Sequence, residues 1–240
     1  MSAFGGPNIV DNGLVLYLDA GNRKSYISGS TTWFDKSGFN NNGTLTNGPT
    51  FNTGSGGSIV FDGIDDYCIF GSSIIPTTSN WTYSSFFNLN TLATGSVLYG
   101  QYIAVAFNGR ILIRLSDDLN NINKFSLFLG SGAGYSNVFL YTNITASINT
   151  TYNLTITREN QTFNFYLNGV YNTGSTMNFT ASLLQTTPII GGRTNIGGSP
   201  TPVNTDFLNG RIFNTQIYNR ALSAQEVLQN YNATKGRFGL

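Results

Sequence analysis

Hydrophobic residues in this chain fall in short clusters, each closed by Gly, Asn, Asp or Ser. "LVLYLDA" (Leu14 to Ala20) is a compact apolar run of the kind that predicts a buried strand. "TTWFDKSGFNNNGTLTNGPTF" follows as a turn-rich excursion whose Asn-Gly and Gly-Pro pairs mark its bends. "SIVFDGIDDYCIF" reads as two short strands around a turn. In "WTYSSFFNLN" Trp81, Tyr83, Ser85 and Phe87 alternate with Thr82, Ser84, Phe86 and Asn88. That places aromatics on both faces, as in the central strand of a sandwich. "SVLYGQYIAVAF", "RILIRLS", "KFSLFLG" and "SNVFLYTNI" continue the pattern, each β-branched or aromatic. "YNLTITRENQTFNFYLNGVY" predicts a hairpin, with Leu154 and Ile156 on one arm and Phe163, Phe165 and Leu167 on the other. Asn168–Gly169 signals a further tight turn, because Asn-Gly tolerates the positive φ that such turns need. "PIIGGR" and "FLNGRIFNTQIYNR" supply the last strands.

Helical spacing occurs convincingly once, in "LSAQEVLQNYNA". There Ser223 stands three residues before Glu226, a capping-box pair ahead of Val227 and Leu228, and predicts about two turns ending near "NATKG". No linker, charge run or repeat divides the chain, so residues 1–240 are expected to form one domain. Its flanks, residues 1–11 and 234–240, read as arms outside the core. Strands at this spacing indicate an all-β fold, a sandwich or barrel and not a parallel α/β sheet, with one short C-terminal helix.

Composition agrees with many strands and tight turns. Charged residues are 10% of the 240, aromatics 14%, and Gly alone accounts for 28 positions. A formal net charge of +1 with scattered basic residues argues against a nucleic-acid partner. The single cysteine, Cys68, excludes an internal disulfide and any multi-thiolate zinc site. No apolar stretch approaches the length of a membrane span, so no membrane insertion is expected. The N-terminus lacks the basic and apolar regions of a signal peptide, which predicts synthesis in a cytoplasm.

Several blocks together resemble a concanavalin A-like, laminin-G-like jelly-roll domain. They are "GLVLYLDAGN", "WFDKSGFNNNGTLTNGPTF", "IVFDGIDDYCIF", "FYLNGV" and "FLNGRIFNTQIYNRALSAQEVLQNYN", in the family's order and over nearly the whole chain. The end block, a strand, a "YNRALS" turn and the capped helix, is the most specific of them. The resemblance is closest to versions of the domain among structural proteins of tailed bacteriophages, which similarly end in a "KGRFGL"-like tail. It implies two stacked antiparallel sheets, recognition of glycans or proteins by rim loops or one sheet face, and in some members a bound calcium ion.

The candidate chemistry is sparse. Histidine is absent, which removes the usual general base and every Ser-His-Asp or Cys-His arrangement. A paired-carboxylate hydrolase would need suitably placed acids, yet Glu159 lies in a hairpin turn and Glu226 in a helix cap. No enzyme is expected. Asp62, Asp65 and Asp66 form the densest acidic cluster, and two readings of it stand: a turn whose side chains bond nearby backbone N–H groups, or a calcium site. The linear calcium-loop template fails there, so such a site would gather Asp19, Asp35, Asp62, Asp65 and Asp66 from several strand ends. Trp81 reads as core, whereas Trp33 in its turn-rich segment is a candidate for stacking on sugar rings. The Gly- and Asn-rich loops at 130–137 and 191–204 offer Tyr135, Arg193 and Asn195 as ligand contacts.

These readings lead to a non-enzymatic bacteriophage virion protein that decorates the capsid or forms part of a tail fibre. Its expected partners are other capsid or tail proteins, host-surface glycans, and itself as a homo-oligomer, with a trimer preferred. The alternative is a stand-alone, lectin-like carbohydrate-binding module.

Overall fold

A computed structural model describes residues 7–75, 80–101, 110–130, 137–177, 187–193 and 206–240. The first strands are β1 (Leu14–Asp19), β2 (Thr32–Trp33), β3 (Gly43–Thr46), β4 (Thr50–Asn52), β5 (Ser58–Asp62) and β6 (Tyr67–Phe70). Next come β7 (Trp81–Leu89), β8 (Val97–Gln101), β9 (Arg110–Leu115), β10 (Phe125–Gly130) and β11 (Asn137–Tyr141). The remaining strands are β12 (Thr151–Glu159), β13 (Thr162–Leu167), β14 (Val170–Thr176), β15 (Ile189–Ile190) and β16 (Asn209–Tyr218), followed by helix α1 (Ala224–Thr234).

They build two sheets in which every pairing is antiparallel. One runs β14-β13-β12-β7-β16-β5-β4, with β1 also on β16, and the other runs β11-β10-β9-β8-β15-β6-β3-β2. This is the all-β fold with one short C-terminal helix that the strand pattern predicts, and the two-sheet jelly-roll sandwich that the family resemblance implies. The inner faces interlock through aromatics: Phe87 of β7 meets Phe125 of β10 edge-on at 5.3 Å, and Tyr83 of β7 meets Tyr99 of β8 at 5.7 Å. Such contacts join the sheets because alternate side chains of each strand face the opposite layer.

The local signals are realised. Leu154 pairs with Leu167 and Ile156 with Phe165 across the hairpin. Asn168 and Gly169 both take positive φ, 51° and 78°, and turn β13 directly into β14. A Cβ on Gly169 would also press into the Tyr231 ring, so helix packing adds to the demand for glycine there. Ser223 Oγ accepts from the Glu226 N–H at 3.3 Å while the Ser223 N–H donates to Glu226 Oε2 at 2.9 Å, completing the capping box. The helix extends to 11 residues, longer than the two turns expected, and a 3-10 turn at Lys235–Phe238 continues it.

Strand β7 is buried along its whole length. Trp81, Tyr83, Phe87 and Leu89 face the core between the sheets. On the opposite face Phe86 stacks against Tyr231 (5.8 Å, 4°) and meets Phe238 at 4.8 Å. Helix α1 and the tail after it therefore cover the outer face of this sheet. This corrects the expectation of a C-terminal arm outside the core. Phe238 packs on Phe86 and Phe213, and Arg237 pairs with Asp19, so residues 235–238 are part of the packed structure. The described part of the N-terminal flank is held as well: Val10 N–H donates to Asn230 Oδ1, and Tyr218 Oη–H donates to the Val10 carbonyl. Among the described residues no helix is long and apolar enough to cross a membrane.

Candidate functional site

The acidic cluster sits where the chain crosses between sheets. Strands β5 and β6 flank it as expected, but β5 belongs to one sheet and β6 to the other, so the segment is a corner and not a hairpin. Asp62 Oδ1 accepts from the Ile64 N–H at 2.7 Å, and Asp66 Oδ2 accepts from the Asp62 N–H at 3.0 Å. These are the side-chain-to-backbone bonds that hold a tight turn. One ligand atom from each of Asp62, Asp65 and Asp66 falls within 4.8 Å of the others. An all-oxygen set of this kind suits a hard cation such as calcium, with Asp62, Asp65 and Asp66 as the residues that would hold it and other oxygens completing the six to eight that calcium takes.

Burial pushes the Asp66 carboxyl up to about 6, and the neighbouring charges of Asp62 and Asp65 push the same way, against the bond from the Asp62 N–H. A carboxyl raised in the folded state binds its proton more tightly there than in the unfolded chain. Its ionisation therefore destabilises the fold as pH rises through about 6, and that stability returns as pH falls. Asp66→Asn keeps the acceptor and removes the charge. It is expected to raise stability near pH 7.5 by about 1 kcal/mol after solvent screening, by about half as much near pH 5, and hardly at all near pH 3.5, in urea titrations at the three values. Glu226 stays ionised throughout that window, because Arg220 holds its carboxyl down to about 2. A cation bound by the three aspartates would oppose the same repulsion, so an equal melting temperature in calcium and in excess chelator retires it.

The other predicted site residues lie elsewhere. Asp19 receives both guanidinium nitrogens of Arg237, at 2.8 and 2.9 Å, together with the Tyr17 hydroxyl and the Gly21 N–H. Asp35 accepts from the N–H groups of Tyr17, Ser37 and Asn41 and from the Ser37 hydroxyl, which ties down the 35–41 loop. Both are thus committed to the fold and stand outside the cluster of three. Trp33 is fully buried in the main core, which corrects its reading as a surface aromatic: β2 closes the end of its sheet and turns this ring inward. Trp81 is core as expected. Arg193 pairs with Asp206. Tyr135 and Asn195 lie outside the described residues.

A groove missed by the sequence reading opens beside Asp19. Strands β1 and β5 share one edge of β16, β5 along Asn209–Ile212 and β1 along Asn214–Tyr218, with a bulge between Ile212 and Asn214. The end of β1 and the start of β5 consequently meet, and Ala20 N–H donates to the Phe213 carbonyl at the bulge. Here the backbones of Gly21 and Gly56 come so close that a Cβ on Gly21 would overlap the Gly56 carbonyl oxygen and the Arg237 guanidinium. Arg237 fastens both sides, pairing with Asp19 and donating to the Gly56 carbonyl at 2.9 Å. The resulting groove holds about 640 Å3, in the range typical of small-ligand sites. Its lining includes Arg23, Tyr26, Ile27, Phe51 and Thr53, and no carboxylate among the described residues. Tyr26 and Phe51 pack ring to ring at 5.2 Å; Tyr26 is buried beneath, Phe51 is half-buried and Ile27 is exposed. The available clue was an aromatic and a basic residue in the polar segment "GNRKSYI" after β1, but nothing local pairs that segment with Phe51.

Residues 62–228 match the family described as the concanavalin A-like lectin/glucanases superfamily, and the chain belongs to it. Among solved structures it is similar to domain 4 of AbnA, a GH43 extracellular arabinanase from Geobacillus stearothermophilus, determined in complex with arabinotriose. The identity is 16% and the TM-score 0.67, over 91% of this chain and 98% of that one. It is also similar to the binding domain of Paraclostridial Mosquitocidal Protein 1, at 18% identity and a TM-score of 0.68, over 93% of this chain and 52% of that one. A third similar structure is Trypanosoma rangeli sialidase, at 18% identity and a TM-score of 0.63, over 94% of this chain and 33% of that one. The chain thus spans about half of the toxin domain structure and a third of the sialidase, and at these identities the likeness is one of fold. No curated protein matches it.

Proposed function

We propose that the chain is a non-catalytic carbohydrate-binding module and that the groove between the end of β1 and the start of β5 receives a short saccharide. The observation that carries this reading is the composition of that groove. A half-buried aromatic ring, exposed polar side chains and backbone amides line about 640 Å3, which suits a sugar's apolar face and its hydroxyls. Among the described residues no carboxylate lines it, so the groove they form holds no acid and base pair for glycoside hydrolysis. The arabinanase domain solved with arabinotriose shares the fold over almost its entire length, which supports a saccharide as ligand.

A virion decoration or fibre subunit is a second reading, favoured by the resemblance of the end block and tail to tailed-bacteriophage proteins. Residues 7–10 and 235–238, which that reading would use to reach a neighbouring subunit, make their described contacts within the chain. On a particle the same groove would face host-surface glycans. The test is a glycan array followed by calorimetry. At least one saccharide class is expected to bind, and Phe51→Leu, which keeps apolar volume but removes the ring, is expected to weaken it roughly tenfold. An array with no binding, from protein that melts cooperatively, overturns the proposal.

A further inference from the structure

We propose that the groove selects saccharides that carry a carboxylate, with Arg23 as the residue that reads the charge. This inference rests on the groove being a saccharide site and adds the ligand's chemical class. Arg23 makes no hydrogen bond or ion pair with any described residue, whereas Arg114, Arg220 and Arg237 are each held by a carboxylate. It is exposed on the lining of the groove, two residues beyond Gly21, on a segment fixed by its own turn bonds. Asn22 Oδ1 accepts from the Lys24 N–H at 2.9 Å, and the Asn22 carbonyl accepts from Ser25 and Tyr26 at 2.7 and 2.8 Å. The backbone that carries the guanidinium is therefore preorganised while its fork of donors is left open.

The surrounding charges favour an anion. Among the described residues Arg23 is the one charged side chain on the lining, and the carboxylate at the groove's edge, Asp19, is neutralised by Arg237. A guanidinium pairs with a carboxylate through two parallel N–H···O bonds, a match in shape as well as charge. A sugar acid presents both features that the groove offers to meet: a ring face for Phe51 and a planar carboxylate for Arg23. A neutral sugar uses the first and leaves the second to water. Two sources share this chemistry, the uronate units of a polysaccharide and a terminal sialic acid.

Calorimetric titration of the full chain with trigalacturonate and 3′-sialyllactose, beside galactotriose and lactose as neutral counterparts, tests the inference and separates the two sources. At least one acid is expected to bind roughly tenfold or more tightly than its neutral counterpart, and Arg23→Gln to bring the pair level without changing the melting temperature. Added salt is expected to weaken the acid and spare the neutral sugar. Equal affinity for acid and neutral sugar, or a preference that survives Arg23→Gln, overturns the assignment of Arg23 while the saccharide reading stands. Failure of both acids to bind likewise overturns the inference, while the saccharide reading itself stands or falls on the glycan array.

Discussion

Deleting residues 235–240 is expected to lower the melting temperature by roughly 10 °C, about 4 kcal/mol at this chain length. Two losses of similar size make up the figure. Arg237 neutralises Asp19, whose side chain is only 6% exposed, and removing one member of a largely buried pair strands the other's charge. The Arg237 side chain keeps 29% of its surface in water, so the loss is about 2 kcal/mol and not the larger value of a fully buried pair. Phe238 contributes a comparable amount, since its ring meets Phe213 at 4.6 Å and Phe86 at 4.8 Å. Arg237→Ala and Phe238→Ala should each show about half of the deletion's effect in calorimetric melting. Arg237→Lys should recover little, because an ammonium cannot serve both Asp19 oxygens and the Gly56 carbonyl with one planar fork. A deletion that melts with the full-length chain would mean that the tail is the loose arm its sequence suggests.

That tail illustrates what was legible in the chain and what was not. Signals acting over a few residues were readable: the alternation of β12 and β13, the Asn168–Gly169 turn, and the Ser223–Glu226 cap each depend on neighbours in sequence. The sandwich itself followed from such signals repeated along the chain. Contacts between distant segments left no local trace. Arg237 and Asp19 are separated by 218 positions, and "KGRFGL" alone does not say that its arginine and phenylalanine have partners. The strands and turn around Asp62–Asp66 were readable, but the crossing from one sheet to the other was not, for a related reason. Alternation shows that β5 and β6 are strands, but which sheet each joins is decided by β16 on one side and by β3 and β15 on the other. The groove depends on the same long-range pairing, because β1 and β5 lie along one edge of β16 and β4, which carries Phe51, lies on β5. Trp33 shows the converse error, in which a polar neighbourhood in sequence concealed a fully buried side chain.

Adjacent phenylalanines on β7 allow the two-sided burial of that strand to be measured. Phe87→Ala is expected to cost about 4 kcal/mol, because the ring is fully buried between the sheets against Phe125 and Tyr152 and leaves a cavity there. In a sandwich whose sheets face water on the outside, its neighbour Phe86 would point to solvent and its truncation would be nearly neutral. Here Phe86 is only 2% exposed beneath Tyr231 and Phe238, so Phe86→Ala is expected to cost about 3 kcal/mol. Urea midpoints at constant m-value give both numbers. A double-mutant cycle then separates the faces. Phe86 and Phe238 share a contact, so their combined loss should fall short of the sum by about 1 kcal/mol, whereas Phe87 and Phe238, on opposite sides of the sheet, should add. A Phe86→Ala cost below about 1 kcal/mol would show that the helix and tail do not seal the outer face. The groove would then lose its anchor, since the Arg237 that joins its two sides is held in place by the same packed tail.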